Sequence, residues 1–214
     1  YESWLEFLRS LVSRGLAPPL LAISDAHEGL RKAIQAVFGG TSWQRCRVHF
    51  MRNVLSQVSK AQQPMVSAAV RQIYFAPDQA TARSIVREVA AKLEKQLPRL
   101  AEKLLSESED TLSYMAFPTE HWRQLHSTNG LERLNREVKR RSDVVGIFPN
   151  DDSVFRLLGS VLSEQHDEWS ISRKVYSQES MAKVLRLRMG KDEPGALTSN
   201  SLAAPAEVGA CSST

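Results

Sequence analysis

Residues 2–14 set Trp4, Leu5, Leu8, Leu11 and Val12 at helical spacing, and Gly15 followed by Pro18 and Pro19 ends the run. This predicts a first helix. Leu20-Leu21-Ala22-Ile23 is a short apolar run closed by Ser24-Asp25, after which a helical stripe passes through Leu30, Ile34, Val37 and Phe38 to Gly39-Gly40. The pattern is that of a buried strand feeding a helix. From Trp43 to Phe50, the residues Cys46, Val48 and Phe50 alternate with Arg45, Arg47 and His49. Alternation favours a second strand with one polar face, and leaves its far end open to a helical reading.

From Pro64 to Phe117 the chain shows successive amphipathic helices and no strand signal. Val66, Val70 and Ile73 form one stripe, Ala82, Ile85, Val86, Val89 and Leu93 a second, and Leu100, Leu104 and Leu105 a third. Pro77 and Pro98 punctuate them, and Asp78 is placed to cap the second. Residues 128–141 predict a very basic helix, Val144 to Asn150 an extended loop, and Asp151 or Asp152 the cap of a helix bearing Val154, Leu157, Leu158, Val161 and Leu162. A last short helix carries Met181, Val184 and Leu185. Beyond Met189, Ser, Ala, Gly and Pro dominate without a periodic apolar face, so residues 191–214 are expected to be a disordered tail. The fold class expected is α/β and predominantly helical. Trp43 and Trp169 are read as core residues.

Composition narrows the class of protein. With 214 residues, 42% hydrophobic and 24% charged, the chain suits one or two soluble globular domains. No apolar run approaches the roughly 20 residues of a membrane span. Cys46 and Cys211 lie too far apart to suggest a disulfide framework, in keeping with a reducing compartment. An opening at Tyr1 directly into a helical stripe reads as part of a longer protein. Residues 1–190 hold 27 basic against 21 acidic side chains, a net +6 that favours a polyanionic partner.

Candidate chemistry lies in three places. Asp25 follows an apolar strand, where open α/β sheets place ligands, and offers the hard oxygen that Mg²⁺ prefers. Asp25 with Glu28 is also readable as a capping box. In the segment Ser127 to Arg141, Leu131, Leu134 and Val138 share one helical stripe while Glu132 points away beside Asn135, Arg136 and Lys139. Its bases Arg133, Arg136, Lys139, Arg140 and Arg141 suit phosphates, whereas Asn129 with Glu132 forms a second apparent capping box. Cys46-x-x-His49 has the spacing of half a zinc site, but His27, His121, His126 and His166 show no zinc-finger spacing. Only His121 and His126 offer a composite completion. Trp122 is placed either to stack on a base or to pack beneath the basic helix.

Taken in order, these segments resemble the mutator-type transposases of bacterial insertion sequences. The resemblance rests on Ile23-Ser24-Asp25-Ala26-His27-Glu28-Gly29-Leu30, on Trp43 to Phe50, and on Phe117-Pro118 with Trp122. It continues through Ser127-Thr128-Asn129, Leu131-Glu132-Arg133-Leu134-Asn135, Lys139-Arg140-Arg141 and Val144 to Asn150, and spans about residues 2–188. Gly130 stands where the family pattern carries proline, a change that loosens the helix start and spares the acid.

The resemblance implies an RNase H-like core with an Asp, Asp, Glu triad, interrupted by an all-helical insertion. Asp25 then corresponds to the second acid and Glu132 to the third, 107 positions on. Residues 1–50 correspond to an incomplete core, 51–120 to the insertion, 121–150 to the core helix bearing the third acid, and 151–190 to C-terminal helices. Cys46 and His49, with Asn129 and Asn135, are implied as supporting residues, and Arg45, Arg47, Arg133, Arg136, Lys139, Arg140 and Arg141 as DNA contacts. The implied cofactor is a pair of Mg²⁺ ions held in part by Asp25 and Glu132, with Mn²⁺ as a substitute. The implied partners are transposon-end and target DNA and further copies of the protein, in a bacterial cytoplasm near the nucleoid. The first acid has no counterpart on a strand before Asp25, so this chain by itself is expected to be inactive. Two other expectations stand beside it: a non-catalytic DNA-binding remnant whose acids are caps, and a helical self-association module.

Overall fold

The computed structural model describes residues 1–171 and 176–189. The residues expected to form a disordered tail lie outside that set. Helix α1 (Glu2–Ser13) turns Leu5 and Leu8 inward, and strand β1 (Leu21–Ser24) leads into helix α2 (Glu28–Val37). Strand β2 (Ser42–Arg45) returns parallel to β1, with Leu21 opposite Ser42 and Ser24 opposite Arg45. Parallel neighbours need a crossover, and α2 supplies it. Leu5, Leu8, Ala33, Ile34 and Phe38 form a small core on this unit, with Trp43 packed against it.

The second strand ends sooner than alternation suggests. Helix α3 (Arg47–Leu55) begins directly after Cys46, because Cys46, Phe50 and Val54, four residues apart, are all fully buried. Phe50 and Val54 enter the larger core, built with α4 (Gln63–Ile73), α5 (Gln79–Glu94) and α6 (Pro98–Glu107). Its centre is Val66, Val70, Ile73, Val89, Leu104, Leu112 and Tyr114, and α5 packs along α6. Asp78 caps α5 as its position suggests, accepting from the Thr81 N–H at 2.8 Å. Three short 3₁₀ turns between Glu109 and His121 then lead to α7 (Trp122–Leu125). Trp122 packs edge-on against Tyr114, in this core.

The sheet and the helical core are joined through a buried amide. Gln44 is fully buried on β2, donates to the Arg45 and Thr111 carbonyls, and accepts from the Tyr114 N–H. An amide buried there is tolerated because these contacts satisfy its polar ends.

Helix α8 (Asn129–Val145) runs further than the basic segment predicts, ending where Gly146 adopts φ +74°. Val144 and Val145 therefore belong to the helix and not to an extended loop. The next helix, α9 (Asp151–Ile171), is capped by Asn150, whose Oδ1 accepts from the Ser153 N–H at 2.9 Å; neither Asp151 nor Asp152 is the cap. Along α9, Val161 is buried, whereas Trp169, expected in the core, is mostly exposed. Helix α10 (Gln178–Met189) buries Val184 and returns to the body through an ion pair between Lys183 and Glu120. Among the described residues no helix is long and apolar enough to cross a membrane.

Candidate active site

The parallel pairing of β1 and β2 determines what meets at their carboxyl ends. Ser24 lies opposite Arg45, so the next residues, Asp25 and Cys46, emerge side by side at one edge of the sheet. The Cys46 N–H donates to the Ser24 carbonyl at 2.8 Å and holds the two chains together there. Cys46 starts α3, and His49, three residues on, projects from the same helical face. Across from them, the Arg47 N–H donates to the His126 carbonyl at 2.9 Å, which anchors the segment leading into α8. Glu132 then lies one turn inside that helix.

The result is a contiguous polar cluster. His49 Nδ1 pairs with Asp25 Oδ1, and its Nε2 lies 3.3 Å from Glu132 Oε1. One imidazole thus separates two carboxylates from distant parts of the sequence. The Asp25 side chain is 56% exposed, that of Glu132 37% and that of His49 20%, so the acids open to solvent while the ring sits deeper. Nδ1 itself is buried, and the group that faces it is the Asp25 carboxylate.

Thr128 connects the remaining members. Its N–H reaches Cys46 Sγ at 3.5 Å, and its hydroxyl lies 3.4 Å from the same sulfur and 3.1 Å from Glu132 Oε1. The hydroxyl has one proton and serves one acceptor at a time, and a carboxylate is the stronger of the two. Sequence reading includes Thr128 in a motif without assigning it a role. Its signal is the i, i+4 spacing to Glu132 immediately before a helix.

Neither acid is used as a helix cap. His27 caps α2, its Nδ1 accepting from the Leu30 N–H at 3.0 Å, and Asp25 is left free. Thr128 is the N-cap residue of α8 and makes no side-chain cap bond, so the apparent Asn129–Glu132 box does not form. Asn129 and Asn135 are both exposed and have no side-chain hydrogen bond to this cluster.

The basic residues divide into groups. Arg45 is buried, pairs with Glu107 at 2.5 Å and stacks over Phe50. Burial pushes the Glu107 carboxyl up, but the Arg45 and Lys103 contacts outweigh it and hold that group below its ordinary range. Arg47 lies over the Tyr74 ring at 4.8 Å. Arg140 and Arg141 both bind Glu137, and Arg141 also reaches Glu164. Arg133, Arg136 and Lys139 are exposed and have no ion-pair partner among the described residues. His121 and His126 take no part in the Cys46 and His49 cluster. The His121 ring lies against Tyr176, and His126 Nδ1 bonds the Trp122 carbonyl.

Residues 1–172 match the profile of the family described as "Transposase, Mutator family". The chain belongs to the Mutator family of transposases. It is 43% identical over 191 residues to the transposase for insertion sequence element IS1081 of Mycobacterium tuberculosis, covering 89% of this chain and 46% of that protein. Over 181 residues it is 40% identical to the transposase for IS256 in transposon Tn4001 of Staphylococcus aureus, covering 82% and 45%. The transposase for IS406 of Burkholderia multivorans matches at 39% over 175 residues, covering 81% and 45%. This Mutator-family chain therefore spans about half the length of the curated relatives it matches. Its motifs from Ile23 to Asn150 fall within the matched region.

Proposed function

We propose that this chain carries the second and third acids, Asp25 and Glu132, of an Asp, Asp, Glu site that cuts and joins transposon-end DNA. The support is one observation above all: the two carboxylates flank the two nitrogens of His49. On this reading residues 1–50 and 121–150 belong to an RNase H-like core, and residues 51–120 form a helical insertion between its acids. Residues 151–190 pack as C-terminal helices. The first acid comes from sequence outside this chain, so the isolated chain is inactive.

The donor set fits a hard divalent cation, because two solvent-open carboxylates stand on either side of one imidazole and offer the oxygen ligands such a cation prefers. Asp25 and Glu132 would hold Mg²⁺ or Mn²⁺. When bound, such a metal pair activates the attacking water or 3′-hydroxyl and steadies the leaving oxygen. The protein's own groups do the positioning. Thr128 fixes the Glu132 carboxylate from below, and His49 keeps both acids apart and aligned. Arg133, Arg136 and Lys139, on the same helix as Glu132, bind the phosphates of the DNA. Arg140 and Arg141 join them where DNA competes for their pairing with Glu137. DNA ends, target DNA and further copies of the protein are the proposed partners, in the bacterial cytoplasm.

A non-catalytic DNA-binding remnant requires both acids to be caps, and neither caps a helix. The deciding experiment is end cleavage and strand transfer with Mg²⁺ by the full-length transposase. Asp25→Asn and Glu132→Gln should each lower the rate by about 1000-fold, some 4 kcal/mol of transition-state stabilisation. Full activity in either variant overturns the assignment.

A further inference from the structure

Asp25 stands beside the Cys46-x-x-His49 half-site. A carboxylate oxygen of Asp25, the Cys46 sulfur and a His49 nitrogen all lie within 4.8 Å of one another. In a tetrahedral Zn²⁺ site, with bonds of about 2.0–2.3 Å, neighbouring ligand atoms are about 3.5 Å apart. Two further observations bear on the trio. His49 Nδ1 is buried and directed at Asp25 Oδ1, so two of the three ligand atoms already meet. Cys46 Sγ receives the Thr128 N–H and lies within reach of the Thr128 hydroxyl, the kind of donors that steady a metal-bound thiolate.

We infer that Asp25, Cys46 and His49 form a site for one thiophilic divalent cation of the Zn²⁺ class, whose occupancy withdraws Asp25 from a hard cation. Sulfur and imidazole nitrogen are poor partners for Mg²⁺ and good ones for Zn²⁺. On binding, the metal replaces the Cys46 thiol proton, which passes to solvent, and no electron is transferred. The three protein ligands leave a fourth position for water, while Glu132 Oε1 stays at the opposite ring nitrogen, 3.3 Å from His49 Nε2. The site is a device for inhibition: with soft metal bound, the two acids cannot act together. The inference shares Asp25 with the proposed function, but its test reads the metal directly and does not depend on DNA processing.

The test is a titration of the 214-residue chain with Co²⁺ as the spectroscopic probe, followed by Zn²⁺ competition. One equivalent should produce the intense sulfur-to-cobalt charge-transfer absorption of a thiolate ligand, together with the visible bands of four-coordinate Co²⁺. Zn²⁺ should abolish both, and a large excess of Mg²⁺ should leave them in place. Cys46→Ser should remove the charge-transfer band, and Thr128→Val should weaken binding about 10–100-fold. Because Cys46 is buried, circular dichroism must show that the serine variant is folded. The exposed Asp25→Asn gives the second reading, keeping the band with reduced affinity. No charge-transfer band in the wild-type chain, or unchanged affinity in Asp25→Asn, overturns the site. Loss of DNA cleavage in the full-length protein bears on the proposed function alone.

Discussion

His49 is the residue through which this site is organised. Its two ring nitrogens point to opposite edges of the ring, with Asp25 at one and Glu132 at the other, so the imidazole bridges the two acids. Its neighbours impose what it touches: Asp25 arrives from β1, Glu132 from α8, and Thr128 ties Glu132 to Cys46. Further along α8, Glu137 is held at a pKa of about 2 by hydrogen bonds from Arg140 and then Arg141. A carboxyl depressed on folding contributes stability above its ordinary pKa of 4.5, and this is lost as pH falls toward 2. An NMR titration of the Glu137 side chain should therefore find its midpoint near 2 in the folded chain. Replacing Arg140 and Arg141 by alanine should return it to the ordinary glutamate range; an unchanged midpoint would show that the two guanidinium groups are not its cause.

Helix α8 combines three tasks on one element. Its start places Glu132 in the cluster, Leu134 and Val138 form its half-buried side, Arg141 reaches Glu164 on α9, and its exposed side carries cations. The cations are not equivalent. Arg140 and Arg141 are engaged by Glu137, whereas Arg133, Arg136 and Lys139 have no ion-pair partner among the described residues. For duplex DNA, each phosphate neutralised contributes about 0.9 to the slope of log K against log salt. Removing Arg133, Arg136 and Lys139 together should flatten that slope by about 2 to 3. Removing Arg140 and Arg141 should change it by less, since Glu137 already offsets them. Binding isotherms at several salt concentrations measure both, and an equal or larger effect from the second pair would contradict this division.

The molecule as a whole rests on two unequal cores. The larger joins α3 through α6 with the 3₁₀ turns, and the smaller packs α1 and α2 on the two strands. The α8 helix buries no residue completely, and Leu131, Val144, Ile147 and Phe155 are exposed on it and its surroundings. Stability should follow that distribution. Leu104→Ala, at a fully buried position, should cost about 2–5 kcal/mol by denaturant unfolding. Leu134→Ala, on the half-buried side of α8, should cost under about 1.5 kcal/mol. A reversal of that order would mean that the α8 and α9 pair contributes more to the folded state than its packing indicates.

Helix periodicity was readable directly from local residue order, and of the caps read there the one by Asp78 forms. The stripes of α1, α2, α4, α5 and α6, and the Asp78 cap, follow from 3.6-residue spacing and a short polar side chain before a helix. Ambiguity entered where two local readings competed. Cys46, Val48 and Phe50 satisfy a strand period, but burial of Val54 four residues after Phe50 favours the helix. At the start of α2, residue order offers Asp25 as the cap, and the backbone geometry selects His27. The fate of Arg45 depended on Glu107, 62 positions away, and that of Gln44 on Thr111 and Tyr114. The motifs themselves, including Asp25, Cys46, His49 and Glu132, are legible in one dimension because each is a short run of residues. Their meeting is not, because it depends on parallel register at β1 and β2 and on the anchoring of the segment before α8 at the start of α3, through the Arg47 N–H to the His126 carbonyl and Thr128 to Cys46.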